Sequence, residues 1–124
     1  APASGEPLRR LALIKREMGL LDEAISAMRE ALRLEPALIG GHFTLGVLLN
    51  EAGRHDQAIN EYEAAIRIDP DQASAHLNLA LTYYFHAGNP NLAANHYRRY
   101  LALGGDPVPA LESVLRELRE GGGP

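Results

Sequence analysis

Apolar and polar residues alternate along the chain with the period of an α-helix. In segment 24–32 the apolar side chains recur every three or four residues, so they line one helix face. The pattern returns in segment 58–66, with charged and polar residues between the apolar ones. The apolar positions are Ala24, Ile25, Met28, Ala31 and Leu32, then Ala58, Ile59, Tyr62, Ala65 and Ile66. Both segments are predicted to be amphipathic helices.

These helices belong to a repeat with a period of 34 residues. The segment "RLEP" at 33–36 and the segment "RIDP" at 67–70 share their chemistry and end in prolines 34 residues apart. The same offset pairs Gly19 with Gly53 and His42 with His76. Self-similarity at a fixed period of this length is typical of helical repeat proteins.

Each unit is predicted to be a pair of helices. The first helices are expected at 8–18, 42–52 and 75–87, and each ends near a glycine that can adopt the left-handed conformation of a turn. These turn glycines are Gly19, Gly53 and Gly88. Pro36 and Pro70 end the second helices because proline lacks an amide donor and clashes with the preceding turn. The third unit carries one extra residue in its turn.

The repeat pattern stops at "LGGDP", residues 103–107, where a third proline-terminated segment is missing. Asp106 is instead expected to cap a last helix whose first position is Pro107. Its apolar stripe, Val108, Leu111, Leu115 and Leu118, is suited to cover the open end of a stack of helices. The predicted boundaries are repeats at about 5–38, 39–72 and 73–106, a capping helix at about 107–120, and tails at 1–4 and 121–124.

These motifs resemble the tetratricopeptide repeat family. In the second unit the family signature matches His42, Leu45, Gly46, Leu49, Ala58, Tyr62, Ala65 and Pro70. The resemblance implies an all-α solenoid, in which three stacked helical hairpins form a right-handed superhelix closed by a capping helix. The third unit departs from the family at Tyr100, where alanine is preferred, so the capping helix is expected to dock differently from a further repeat.

The resemblance also implies a concave groove lined by the first helices. The positions that carry over from the family are Arg9, Arg10, Leu13, Arg16, Phe43, Thr44, Val47, Leu77, Asn78, Leu81 and Tyr84. Three arginines lie at one end, the remaining positions are largely apolar, and Asn78 can both donate to and accept from a peptide backbone. The groove is therefore predicted to bind a protein or peptide with apolar anchors and an acidic segment.

Three alternatives to that groove stay open. The first is an ordinary solvated face. The second is a groove occupied by the chain's own capping helix or, in a homo-oligomer, by the tail of a neighbouring copy. The third is a substrate-recognition or self-association domain of a larger enzyme or assembly. The carboxylate clamp of chaperone-binding family members is not expected. Its five positions correspond to Arg9, Leu13, Thr44, Ser74 and Asn78, and only Arg9 keeps the required chemistry.

Composition excludes several other functions. The 124 residues suit a single domain, and a net charge of −4 disfavours nucleic acid. No apolar run is long enough to insert in a membrane, and the absence of cysteine removes disulfides and thiolate chemistry. The composition fits the cytosol and leaves an exported location open.

No enzyme motif, metal-ligand spacing or cofactor loop stands out, so neither catalytic residues nor a cofactor is predicted. The five histidines are the main candidates for a metal site. His42 and His76 occupy equivalent repeat positions where the family often has an aromatic residue, and packing between paired helices explains them better than metal binding. His55 is expected to be exposed.

Overall fold

The protein is described by a computed structural model, from residue 3 to residue 121. Within this range the chain forms α-helices and no strand, which confirms the predicted all-α class. The helices are α1 (Glu6–Glu17), α2 (Leu21–Leu34), α3 (Gly41–Glu51), α4 (His55–Ile68), α5 (Ala73–Phe85), α6 (Pro90–Ala102) and α7 (Pro109–Gly121). None of the described helices is long and apolar enough to cross a membrane. Parts of the predicted tails, residues 1–2 and 122–124, lie outside the described residues.

The helices pack as antiparallel neighbours along the chain. α1 packs against α2, α3 against α4, and α5 against α6. They fall into two compact units, one holding α1 to α4 and the other α5 to α7, with the division between Ile68 and Asp69. Each unit has its own buried apolar residues.

The turns within the helix pairs have the predicted chemistry. Gly19, Gly53 and Gly88 have φ angles of 78°, 78° and 59°, a left-handed conformation that other residues adopt only at a cost. The second helices α2 and α4 end two residues before Pro36 and Pro70, as predicted.

In the first unit, close packing depends on a residue without a side chain. A Cβ atom on Gly46 of α3 would lie 2.6 Å from the ring of Tyr62 on α4, and the Tyr62 ring is itself buried. Glycine thus allows the aromatic ring to lie directly on the α3 backbone. The other buried apolar residues of this unit are largely alanine, leucine and isoleucine: Ala12, Ala24, Ile25, Ala31, Leu45, Leu48, Leu49, Ala58 and Ala65.

In the second unit, α7 completes the core. Leu111 and Val114 of α7 are buried together with Ala80, Ala94 and Tyr97. Val108, Leu115 and Leu118, which belong to the predicted stripe, are half-buried against the same cluster. The amphipathic character predicted for the last helix is therefore confirmed, and Val114 is an additional buried member.

The start of α7 differs from the prediction. The helix begins at Pro109, two residues after Pro107, and Asp106 is exposed. The backbone amide of Val108 donates a hydrogen bond of 2.9 Å to the hydroxyl oxygen of Tyr97, while its carbonyl accepts from the amides of Leu111 and Glu112. Val108 thus holds the first turn of α7 against α6, a contact between distant residues that local capping preferences do not indicate.

Tyr100 shows how the departure from the family pattern is accommodated. Its ring lies directly over the backbone of Gly105, where a side chain would collide with it, and 6.0 Å from the ring of Tyr97. The aromatic side chain therefore fills space beside the connection to α7.

Candidate protein-binding surface

The residues predicted to line a groove lie on the first helices of both units. Seven of them form what we call the α1–α3 face: Arg9, Arg10, Leu13, Arg16, Phe43, Thr44 and Val47. The other four, Leu77, Asn78, Leu81 and Tyr84, form the α5 face. All eleven are exposed or half-buried, so each face reaches solvent.

Arg16 joins α1 to α3 across the α1–α3 face. Its guanidinium group makes a bidentate contact with the carboxylate of Glu51. Arg16 Nε lies 2.9 Å from Oε2, and Nη2 contacts Oε1. This hydrogen bond raises the pKa of Arg16 above its ordinary value, although partial burial acts in the opposite direction. The pair therefore fixes the side chain in one orientation.

Arg9 is also held by groups of the same unit. Its Nη2 and Nε donate to one carboxylate oxygen of Glu6, at 2.6 and 3.0 Å, and its Nη1 donates to the carbonyl oxygen of Ile39 at 3.0 Å. Arg10 is the most exposed of the three arginines, with 77% of its side chain accessible and its Nε 4.0 Å from Glu6. The arginine-rich end is thus largely neutralised by carboxylates.

Sequence reasoning did not identify these carboxylates as partners of the arginines. Glu6 precedes Arg9 by three residues and Arg10 by four, which is the spacing of helical ion pairs and would have indicated the contact. Glu51 has no such local signal, because it reaches Arg16 from the next hairpin.

The apolar part of the α1–α3 face rests on a rigid support. The Phe43 ring lies 5.8 Å from the buried Tyr62 ring at an angle of 50°. Val47 is half-buried one turn further along α3, and Leu13 on α1 is 40% exposed. An apolar surface held in this way needs little reorganisation to accept a partner.

The apolar residues of the α5 face, which the sequence predicts to line a groove, are partly buried. Leu77, Leu81 and Tyr84 pack in part against the core cluster that contains Leu111 and Val114 of α7. The Tyr84 ring also contacts the exposed Phe85 ring edge to face, with centroids 4.9 Å apart. Their side chains therefore contribute to folding as well as to the surface.

Histidines join paired helices in two successive hairpins. His42 Nδ1 lies 2.9 Å from the Glu61 carboxylate, and His76 Nδ1 lies 3.1 Å from His96 Nδ1. Given the one-residue insertion, Glu61 and His96 occupy equivalent positions. His76 Nε2 lies 2.8 Å from the carbonyl oxygen of Pro70, which can only accept, so the neutral His76 ring carries its proton on Nε2 and accepts at Nδ1 from His96.

Two expectations about the histidines have different outcomes. Packing between paired helices, expected for His42 and His76, is confirmed by these contacts. The prediction that His55 is exposed is wrong, because His55 is half-buried with Nδ1 2.8 Å from the side-chain oxygen of Asn50. Between residues 3 and 121, no group of three or more His, Cys, Asp or Glu side chains is arranged to hold a metal ion.

The histidine pair can be tested by substitution. We expect His96→Ala to lower the free energy of unfolding by about 1–2 kcal/mol, because the buried His76 loses the donor to its Nδ1. His96→Gln should cost less, because its side-chain amide can still donate a hydrogen bond to His76 Nδ1. Urea denaturation followed by circular dichroism measures both, and equal costs for the two variants would contradict the interpretation.

Comparisons with known proteins agree with this architecture. A family model described as "Tetratricopeptide repeat" matches residues 10–38, and one described as "TPR repeat" matches residues 48–86. A search of curated protein sequences finds no match.

Solved structures with the same fold include two of MamA. One is 25% identical, with a TM-score of 0.78, and covers 83% of this chain. The other is 26% identical, with a TM-score of 0.75, over 81% of this chain. The present chain spans 60% and 54% of those two MamA chains. The first TPR of Spaghetti (RPAP3), bound to an HSP90 peptide, is 14% identical, with a TM-score of 0.84 and 96% of both chains covered, a likeness of fold alone.

Proposed function

Because the chain belongs to the tetratricopeptide repeat family, we propose that it is a noncatalytic protein-interaction module whose first-helix faces bind a partner peptide. No cofactor takes part in this function. The observation that carries the proposal is the α1–α3 face, where Leu13, Phe43 and Val47 stay partly accessible to water on a rigidly supported surface. Apolar side chains presented in this way favour a partner with apolar anchors.

The charges on the same face favour an acidic segment next to those anchors. Arg10 is exposed and can pair with a carboxylate of the partner. Arg9 and Arg16 contribute less, because an incoming carboxylate must compete with Glu6 and Glu51. Affinity is therefore expected to come chiefly from apolar contacts, with charge orienting the peptide.

A carboxylate clamp is not part of the proposal. The HSP90 peptide belongs to the Spaghetti (RPAP3) structure. In this chain Leu13 and Thr44 stand at two of the clamp positions and do not have the side chains that the clamp requires. Arg9 already binds Glu6 and the carbonyl oxygen of Ile39. Considered by itself, the α5 face offers a partner apolar packing at Leu81 and backbone hydrogen bonds at Asn78.

The proposal can be tested with peptides selected by the wild-type protein from a phage-displayed random library. We expect Leu13→Glu to weaken their binding at least about tenfold, because it places a charge among the apolar anchors. The matched control is Leu92→Glu. Leu92 is 37% exposed, close to the 40% of Leu13, but lies on the second helix α6.

Isothermal titration calorimetry measures the affinities, and circular dichroism confirms that both variants fold. Equal weakening by the two substitutions, or no effect of Leu13→Glu, would contradict binding on the α1–α3 face. Selected peptides without apolar residues would contradict the proposed anchors.

A further inference from the structure

The side of α1 that faces away from Leu13 carries an exposed apolar stripe. Leu11, Ile14 and Met18 are 41%, 56% and 62% exposed. Their spacing of three and four residues puts them on one side of the helix. Arg9, Leu13 and Arg16, which belong to the α1–α3 face, lie on another side. A continuous stripe of large apolar residues on one helix typically marks a contact surface.

The repeat indicates what kind of element covers such a stripe. The residues 34 positions after Leu11 and Ile14 are Leu45 and Leu48 of α3, and both are buried. α3 packs against α2, the second helix of the preceding hairpin. The same positions of a first helix therefore pack against another helix where one is present. Within residues 3–121 no element covers them on α1.

The charged residues beside the stripe can pair with the same residues of a second copy. Arg10 and Glu17 are both exposed and lie two helical turns apart, on the same flank of the stripe and on either side of Ile14. When two copies of a helix pair antiparallel about a two-fold axis, the residues on one flank face the residues on the same flank of the other copy, in the opposite order along the helix. Arg10 of one copy then faces Glu17 of the other, and the pair occurs twice. On the opposite flank Lys15 lies 3.8 Å from Glu23 of its own chain.

The rest of the described chain offers no comparable stripe to a second copy. Outside α1 its large exposed apolar residues are Leu20, Ile39, Ile68, Phe85 and Leu92, each on a different helix or loop. A second copy can therefore match the length of the α1 stripe only with its own α1.

We propose that two copies of this chain associate through α1, antiparallel about a two-fold axis near Ile14. Leu11, Ile14 and Met18 form the apolar centre, and Arg10 and Glu17 form two symmetric ion pairs at its edge. This inference shares Arg10 with the proposed peptide-binding function but not its apolar contacts, because the stripe lies on a different side of α1 from Leu13. Ile14→Glu therefore tests the dimer and Leu13→Glu tests peptide binding.

Charge reversal tests the pairing directly. Arg10→Glu and Glu17→Arg should each raise the dimer dissociation constant at least about tenfold, because each places like charges opposite one another. The double variant should return it to near the wild-type value. Ile14→Glu should raise it at least about a hundredfold. Ile68→Glu is the matched control, because Ile68 is 52% exposed at the end of α4. Sedimentation velocity over a range of protein concentrations measures the wild type and all five variants.

A single cysteine locates the axis, since the chain has none of its own. Ile14→Cys should form a disulfide-linked dimer rapidly under mild oxidation, and Ile68→Cys should not. A wild-type protein that stays monomeric at about 1 mM overturns the proposal, as does a dimer that Ile14→Glu leaves intact. A double charge variant no tighter than the single ones overturns the antiparallel arrangement.

Discussion

Gly46→Leu is expected to lower the free energy of unfolding of the α1–α4 unit by about 3 kcal/mol. The Tyr62 ring occupies the position of the missing side chain, because a Cβ atom at residue 46 would lie 2.6 Å from it. The ring is rigid and buried, so it can move only by displacing its neighbours. Urea denaturation monitored by circular dichroism measures the loss.

The same contact predicts a compensating pair of substitutions. Tyr62→Ala alone should cost about 3–5 kcal/mol, because it leaves a cavity in the core. Gly46→Leu in that background should cost little or restore stability, because the leucine side chain enters the cavity. Thr44→Leu, two residues away on α3, is the control and should change stability by less than about 1 kcal/mol. Additive costs for the two core substitutions would contradict the close contact of Gly46 with Tyr62.

Tyr97→Phe is expected to lower the free energy of unfolding of the α5–α7 unit by about 1.5–3 kcal/mol. The buried Tyr97 hydroxyl donates to the Glu112 carboxylate at 2.7 Å and accepts from the Val108 amide at 2.9 Å. Removing it leaves both groups without this partner at the docking site of α7. Hydrogen exchange of the α7 amides should accelerate most.

The same hydroxyl gives the α5–α7 unit a dependence on alkaline pH. Burial, followed by the hydrogen bond to Glu112, raises the pKa of Tyr97 above its ordinary value of about 10. Its stabilising effect is therefore complete below about pH 10 and is lost as the pH rises through the folded-state pKa.

Tyr97→Phe is the control for this pH dependence. The difference in stability between wild type and Tyr97→Phe should shrink above about pH 10, and a difference that stays constant would contradict this role. Glu112→Gln, which keeps an acceptor but removes the charge, should cost less than Tyr97→Phe.

The elements of the fold could be predicted because their signals are local and repeated. Gly19 and Gly53 end the first helices at the same point of each unit, and Pro36 and Pro70 end the second ones. Capping preferences, which consider only neighbouring residues, predict that α7 starts at Pro107. In the structure the hydroxyl of Tyr97, eleven residues earlier, binds the amide of Val108, and the helix begins at Pro109.

The candidate site was less accessible to sequence reasoning. Repeat positions assign Arg16 and Leu81 to first-helix faces, but they do not show what else contacts these side chains. Glu51 meets Arg16 from another helix, and α7 contributes to the cluster against which Leu81 packs. Such contacts depend on how helices distant in sequence are brought together, which the spacing of residues along one helix does not contain.

The ion pairs of the α1–α3 face have a consequence for how binding responds to salt. Arg9 and Arg16 are already paired with Glu6 and Glu51, so a partner carboxylate that binds either one replaces an existing ion pair. Added salt screens the displaced pair and the new one alike. The two effects largely cancel at these two residues, which leaves the exposed Arg10 as the main source of salt dependence. The affinity for an acidic peptide should therefore fall only gently with ionic strength, and the module would retain its partner over a wide range of salt concentrations.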